Sequence, residues 1–258
     1  GCVTACEFSA DASKIASVGC DKKLILWEKR GRQGHGPCYW RAKHTWKQHG
    51  NWIWCVTMNS SASLVASGSS DRSVRLSRWP DSSRFGILPS RKYVGHLGTI
   101  HGLAFVDSAG AHFLSAAADS TCRMWDSETR QFREFHAHSG GVFCCASAGG
   151  DPVAISGGAD RCLRLWDLRV ARGVGSFTAH ESWVAGCALA FSRQLAASAG
   201  PDENLILWDL RRPAALAYLK GHRGWVTNCC FNDAGTELVS VASGFRDLDC
   251  DRSVLIWE

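Results

Sequence analysis

A set of four side chains returns in one order and at nearly constant spacing along this chain, and that recurrence limits its fold more than any other feature. In one copy His138 is followed by Ser156 eighteen residues on, by Asp160 four later and by Trp166 six later. The same order gives His96, Ser115, Asp119 and Trp125, then His180, Ser198, Asp202 and Trp208, and with one insertion His222, Ser240, Asp251 and Trp257. Two incomplete copies precede these: His49, Ser67 and Asp71 without the Trp, and Ser17, Asp21 and Trp27 without the His. Between the markers lie short apolar runs, such as Val142–Ala146 and Val153–Ser156, broken by Gly149-Gly150-Asp151-Pro152 and by the turn at Asp160. Runs this short, punctuated by Gly, Asp and Pro, read as strands of an antiparallel meander and not as helix.

The reference aspartates fall at 21, 71, 119, 160, 202 and 251, a period of 41 to 50 residues. With Gly95-His96 and Gly221-His222 opening repeats, and Trp125-Asp126, Trp166-Asp167 and Trp208-Asp209 closing them, the chain resembles the WD40 family. The resemblance covers essentially the whole chain. It implies an all-β fold, a WD40 β-propeller of four-stranded antiparallel blades, with six blades or six of a seven-bladed ring. The repeats are bounded at about 1–43, 44–93, 94–135, 136–177, 178–219 and 220–258 of a single domain. The resemblance further implies that His, Ser, Asp and Trp form a buried network tying the loop before the first strand to the second and third strands. Losing one member of such a network strands its partners at a cost of ~1–3 kcal/mol. A reading of His138 or Asp160 as catalytic acid and base fails, because the same set recurs around one molecule.

Composition fits a globular protein with an ample core: 258 residues, 45% apolar and 21% charged. No apolar run approaches the ~18 residues of a membrane helix, and no signal peptide opens the sequence. Thirteen cysteines at first evoke metal or disulfides. Yet Cys6, Cys145, Cys187 and Cys229 hold one equivalent first-strand position, where the other two repeats have Val56 and Leu103. Cys in that setting acts as a small hydrophobe. With no Cys-x-x-Cys pair and an odd count, neither zinc nor a disulfide framework is expected. Free thiols in this number suit the cytosol or nucleus.

The sequence opens at Gly1-Cys2-Val3, already inside an inner strand, and stops at Trp257-Glu258, the close of a third strand. The expectation is a slice of a longer chain, or a partner that adds the missing outer strand. The stretch KRGRQGHGP at 29–37 reads as a solvated loop, since its glycines lack the strand–turn–helix context of a phosphate loop. In the second repeat Ser77 stands at the usual Trp position and Trp79 two residues beyond it, which marks that blade as the weakest. Residues 1–100 carry fifteen Lys or Arg against six Asp or Glu, a balance of +9 in a chain of +5 overall. That basic sector is either solvated surface or, through Lys29, Arg30, Arg32, Arg41, Lys43 and Lys47, a site for an acidic partner or RNA. No base-reading motif supports nucleic acid.

Recognition belongs where the repeats differ. The resemblance implies that the turns before the first strand and before the reference Asp open on one rim, the top face, around the channel mouth. There the chain places Trp52, Trp54, His101, Phe143, Trp183 and Trp225, with the insertion at 244–250 and its Arg246 as a flanking lip. Tryptophan is enriched at binding hot spots, so these residues are read as a docking surface for a peptide or protein. The alternative is that the rings wedge between blades; alternation puts Trp52 and Trp54 on one side either way. Trp166-Asp167-Leu168-Arg169 and Trp208-Asp209-Leu210-Arg211 look like the WDxR endings of substrate receptors that dock on the DNA-damage-binding adaptor of cullin-4 ubiquitin ligases. Arg169 and Arg211 would then contact an adaptor from the bottom rim, or else pair with a neighbouring carboxylate. No nucleophile elbow, Walker loop, free carboxylate pair or His-rich metal spacing indicates an enzyme, a metal or a cofactor.

Overall fold

The computed structural model describes residues 1–31, 39–80, 90–136, 138–212, 214–243 and 251–258. The strands form six antiparallel sheets, one per repeat. Blade 1 is β1 (Val3–Phe8), β2 (Lys14–Gly19), β3 (Leu24–Arg30) and β4 (Tyr39–Trp46), and blade 2 is β5 (Ile53–Met58), β6 (Leu64–Ser69), β7 (Ser73–Arg78) and β8 (Arg91–Val94). Blade 3 holds β9 (Ile100–Phe105), β10 (His112–Ala117), β11 (Thr121–Asp126) and β12 (Phe132–His136). Blade 4 holds β13 (Val142–Ser147), β14 (Val153–Gly158), β15 (Cys162–Asp167) and β16 (Arg172–Thr178). Blade 5 is β17 (Gly186–Ala190), β18 (Leu195–Ala199), β19 (Leu205–Asp209) and β20 (Ala215–Leu219), with a 3-10 turn at Phe191–Arg193. Blade 6 has three strands among the described residues, β21 (Trp225–Phe231), β22 (Leu238–Ser243) and β23 (Val254–Trp257).

Register repeats with the sequence. Cys6, Val56, Leu103, Cys145, Cys187 and Cys229 each stand opposite the network serine of their own blade: Ser17, Ser67, Ser115, Ser156, Ser198 and Ser240. The first strands pack on one another in order, β1 on β5, β5 on β9, β9 on β13, β13 on β17 and β17 on β21, so they are the innermost of each blade. Two of these approaches leave no room for a side chain. A Cβ at Gly102 would lie 2.9 Å from the Cys145 backbone nitrogen, and one at Gly186 2.7 Å from the Asn228 Cα.

The core is not one centre but a series of apolar layers between neighbouring blades. Leu24 and Leu26 of blade 1 meet Ile53, Val56 and Val65 of blade 2. Val74 and Tyr93 of blade 2 meet Phe113 and Trp125 of blade 3, and Leu114 and Phe135 of blade 3 meet Trp166 of blade 4. Ile155 and Phe177 then meet Trp208, and Leu205 meets Val226 and Leu238. Trp125, Trp166, Trp208 and Trp257 therefore each close the layer against the preceding blade. β1 and β21 share no such packing. Cys6, expected to be buried like its counterparts, is exposed for that reason, as are Val3 and Phe8 beside it. Cys187 and Cys229 are buried, and burial drives the Cys229 thiol far above its ordinary pKa. The eleven described cysteines are free thiols; Cys38 and Cys250 lie outside the described residues. Among the described residues no helix is long and apolar enough to cross a membrane.

Candidate functional site

The rim is built by the network beneath it. In blade 3, His96 Nδ1 lies 2.8 Å from Asp119 and its Nε2 2.7 Å from Ser115 Oγ, which the Trp125 indole reaches at 2.8 Å. Charge and valence determine who donates. An ionised carboxylate only accepts, so Nδ1 carries the proton and Nε2 is left to accept from the Ser115 hydroxyl. The chain Trp125 N–H to Ser115, Ser115 O–H to His96, His96 N–H to Asp119 satisfies every member with a neutral imidazole. Burial keeps it neutral, pulling the pKa of His96 and His138 below the ordinary histidine value against the pull of the partner aspartate. Burial pushes the Asp119 carboxyl up, but hydrogen bonds from Thr121 and His96 overcome it and hold the group at about 2.

The quartet repeats in blade 4 with His138, Asp160, Ser156 and Trp166, and in blade 5 with His180, Asp202, Ser198 and Trp208, at 2.7–2.8 Å throughout. In blade 6 the His222–Asp251 contact is 3.2 Å, with Ser240 at 2.7 Å from His222 and 2.9 Å from Trp257. Blade 2 lacks the indole: His49 meets Ser67 at 2.9 Å and Asp71 at 3.0 Å. There Ser77 donates to Gln48, while Trp79 is buried against blade 1 and points its N–H at Glu28. Blade 1 keeps only the Trp27–Ser17 bond at 2.9 Å.

Each aspartate also accepts the backbone N–H of the residue after the histidine: Gly50, Leu97, Ser139, Glu181 and Arg223. A second tie runs the other way. The N–H of the residue before the Asp reaches the carbonyl three residues after the His, Ser70 to Trp52, Ala118 to Thr99 and Ala159 to Gly141, at 2.8–2.9 Å. The two turns of a blade are thus sewn together on the top face, which is what presents the variable residues side by side.

On that face Trp52 and Trp54 meet with ring centroids 5.8 Å apart; Trp54 lies 5.6 Å from His101 of blade 3, and His101 5.4 Å from Phe143 of blade 4. One aromatic row crosses three blades. Trp52 is 47% exposed, and Trp54, His101 and Phe143 are half-buried. The Trp54 N–H donates to Ser70 at 2.6 Å, so its polar edge is satisfied internally and the part of the ring left open by Trp52 and His101 is apolar. Burial depresses the His101 pKa, which leaves a neutral ring in the row. A second pair, Trp183 (39% exposed) and half-buried Trp225, packs edge to face at 5.7 Å across blades 5 and 6. These rings do both things considered from sequence: they bridge neighbouring blades and they keep surface toward solvent. Arg246 and its insertion lie outside the described residues. Ser70, placed on the rim from sequence only as the residue before Asp71, is the acceptor that fixes the Trp54 indole.

On the opposite rim, Arg169 and Arg211 each turn back on the aspartate of their own WD pair. Arg169 meets Asp167 at 2.8 and 3.1 Å, and Arg211 meets Asp209 at 2.9 and 3.1 Å. Both side chains remain about seven-tenths exposed, at 72% and 69%. The basic sector is less free than its count implied. Lys29 and Arg30 lie in β3 and not in a loop, and both Arg30 and Lys43 pair with Glu28. Lys29, Arg41 and Lys47 are exposed, and Arg32 lies outside the described residues. No group of three or more His, Cys, Asp or Glu among the described residues is arranged to hold a metal.

A family model described as WD domain, G-beta repeat matches residues 1–28, 40–76, 88–126, 129–167, 172–209 and 214–258. Curated relatives include a guanine nucleotide-binding protein subunit beta of Arabidopsis thaliana, 27% identical over 66% of this chain and 46% of its own length. The subunit beta of Saccharomyces cerevisiae is 26% identical over 66% of this chain and 40% of its own. Telomerase protein component 1 of Rattus norvegicus is 28% identical over 64% of this chain but only 6% of its own. The chain thus spans less than half the length of these relatives. Six consecutive matches, laid over six sheets whose His, Ser, Asp and Trp bonds follow the repeat, establish that the chain belongs to the WD40 family, the WD-domain, G-beta repeat proteins.

Proposed function

We propose that this protein is a non-catalytic interaction platform whose top face docks a segment of another protein. The observation that carries the reading is the aromatic row of Trp52, Trp54, His101 and Phe143, continuous across three blades and open to solvent at Trp52. Large rings held rigidly at a partly exposed surface give contact area at little entropic cost, which is why Trp and Tyr dominate binding hot spots. The repeated His, Ser, Asp and Trp residues are consumed by the fold, which leaves recognition to the residues that differ between blades. The relatives' names, a subunit and a component, are those of parts of larger assemblies. Partners captured from the native source provide the assay. Trp54→Ala and Trp225→Ala, each checked for retained β-sheet signal, should weaken their binding by about 2 kcal/mol, or roughly thirtyfold. Unchanged affinity in both folded variants contradicts the proposal.

A second reading, adaptor docking of the cullin-4 type, is favoured by one observation: two exposed guanidinium groups on adjacent blades held in the same pose by Asp167 and Asp209. Arg169→Ala combined with Arg211→Ala should abolish co-purification of the ligase adaptor while leaving top-face partners bound. Absence of the adaptor from the unaltered protein's complexes defeats this reading.

A further inference from the structure

The tip of each turn between second and third strands is the residue after the reference aspartate. At five of these tips the backbone is left-handed at a non-glycine residue: Lys22, Arg72, Ser120, Arg161 and Glu203, with φ between 64° and 69°. Glycine or asparagine sits there with less strain, so a side chain at such a position carries a local conformational cost. Arg72 and Arg161 are exposed, and neither pairs with a carboxylate of the described residues. The carboxylates nearest in sequence, Asp71 and Asp160, are turned inward on His49 and His138 and leave the tips uncompensated.

These two cations bracket the aromatic row. The Arg72 turn is fastened to the row at blade 2 by the Ser70 N–H to Trp52 carbonyl bond (2.9 Å) and by the Trp54 N–H to Ser70 Oγ. The Arg161 turn is fastened to it at blade 4 by the Ala159 N–H to Gly141 carbonyl bond (2.8 Å), two residues from Phe143. Between them, blade 3 offers the uncharged Ser120 and His101. Exposed Arg223 and Arg252 of blade 6 and Lys47 of blade 2 add positive charge to the rim, against exposed Glu181 and Glu203 on blade 5.

Resting on the top-face reading above, we infer that the partner is an acidic peptide segment: an apolar residue seated on the Trp52–Phe143 row with carboxylates on both sides that meet Arg72 and Arg161. Charge complementarity of this kind sets the sign of the partner and speeds encounter. A single-stranded nucleic acid fits the charge but not the rings. Successive rings in the row are tilted by 62°, 50° and 77°, so they present no parallel faces on which consecutive bases stack.

The test uses the 258-residue chain and a display library of random short peptides, selected in parallel on the unaltered protein, on Trp54→Ala and on Arg72→Glu combined with Arg161→Glu. A labelled oligouridylate is titrated beside the selected peptides. The expected result is enrichment of peptides with Asp or Glu flanking an aromatic or aliphatic residue. Such peptides should lose about tenfold or more in affinity on the double charge reversal, weaken with added salt, and bind more tightly than oligouridylate. Peptides that depend on Trp54 but are neutral or basic overturn this inference and leave the docking rim standing. An acidic peptide indifferent to the charge reversal, or tighter binding of oligouridylate, also overturns it. Absence of any Trp54-dependent peptide removes the docking rim and this inference together.

Discussion

Replacing Ser115 by alanine isolates what the buried quartet contributes. Its Oγ accepts from Trp125 at 2.8 Å and donates to His96 at 2.7 Å, and Ser115 is fully buried. Trp125 is 1% exposed and the His96 side chain 0%, so neither orphaned nitrogen reaches solvent. An unsatisfied buried polar group costs about 1–3 kcal/mol, so two cost about 2–6 kcal/mol, a large share of the about 5–15 kcal/mol that holds a domain together. The incomplete blades supply internal controls. Ser67→Ala orphans only His49, for about 1–3 kcal/mol. Ser17→Ala orphans only Trp27, which is half-buried and regains water, for about 1 kcal/mol or less. Urea unfolding of the three variants, read as midpoint shifts at constant slope, should rank them Ser115, then Ser67, then Ser17. Equal shifts for all three, or a Ser115 effect below that of Ser17, would refute the view that the network acts through complete satisfaction of its members.

Two further outcomes concern pH. His96 and His138 are held neutral by burial and Asp119 is held ionised, so the unfolded chain binds more protons than the folded one in acid. Stability should be full above about pH 6.5 at these sites and fall as pH drops through 6.5 and again from about 4 toward 2, as thermal melts across that range will show. Glu7 runs the opposite way: burial between blades 1 and 2 raises its carboxyl to about 7 despite bonds from the Met58 N–H and Thr57 hydroxyl. Its folded form keeps a proton that the unfolded chain releases from about pH 4.5, so it costs stability as pH rises toward 7 and above. Glu7→Gln should therefore stabilise the protein by about 1–3 kcal/mol at pH 8 and by little at pH 5, measured by denaturant midpoint at the two values.

The repeat made the fold legible because spacing, strand register and hydrogen-bond partners are the same fact seen three ways. The network serine, eighteen or nineteen residues after the histidine where there is one, lands opposite one first-strand position in every blade, and Cys187 and Cys229 are buried there as read. What stayed illegible depends on neighbours that a repeat cannot reveal. Cys6 occupies the same register position but is exposed, because β1 and β21 do not pack as the other first strands do. Trp79 left the network for the layer against blade 1, where Glu28 and Lys14 meet its ring. Glu28 also takes up Arg30 and Lys43, which on charge count alone belonged to a free basic surface. The aromatic rim was readable as a set of positions, since those residues break the repeat. Its continuity was not, because ring-to-ring contact at 5.4–5.8 Å depends on how closely successive first strands pack.

Photocrosslinking tests the docking face most directly. A photoreactive amino acid placed at Trp52 on the top face, and in a separate protein at exposed Val174 on outer strand β16, is activated in extracts of the native source. A top-face docking site should yield a discrete partner captured from position 52, lost when Trp54→Ala is added, and none from position 174. Capture from position 174 alone would contradict it.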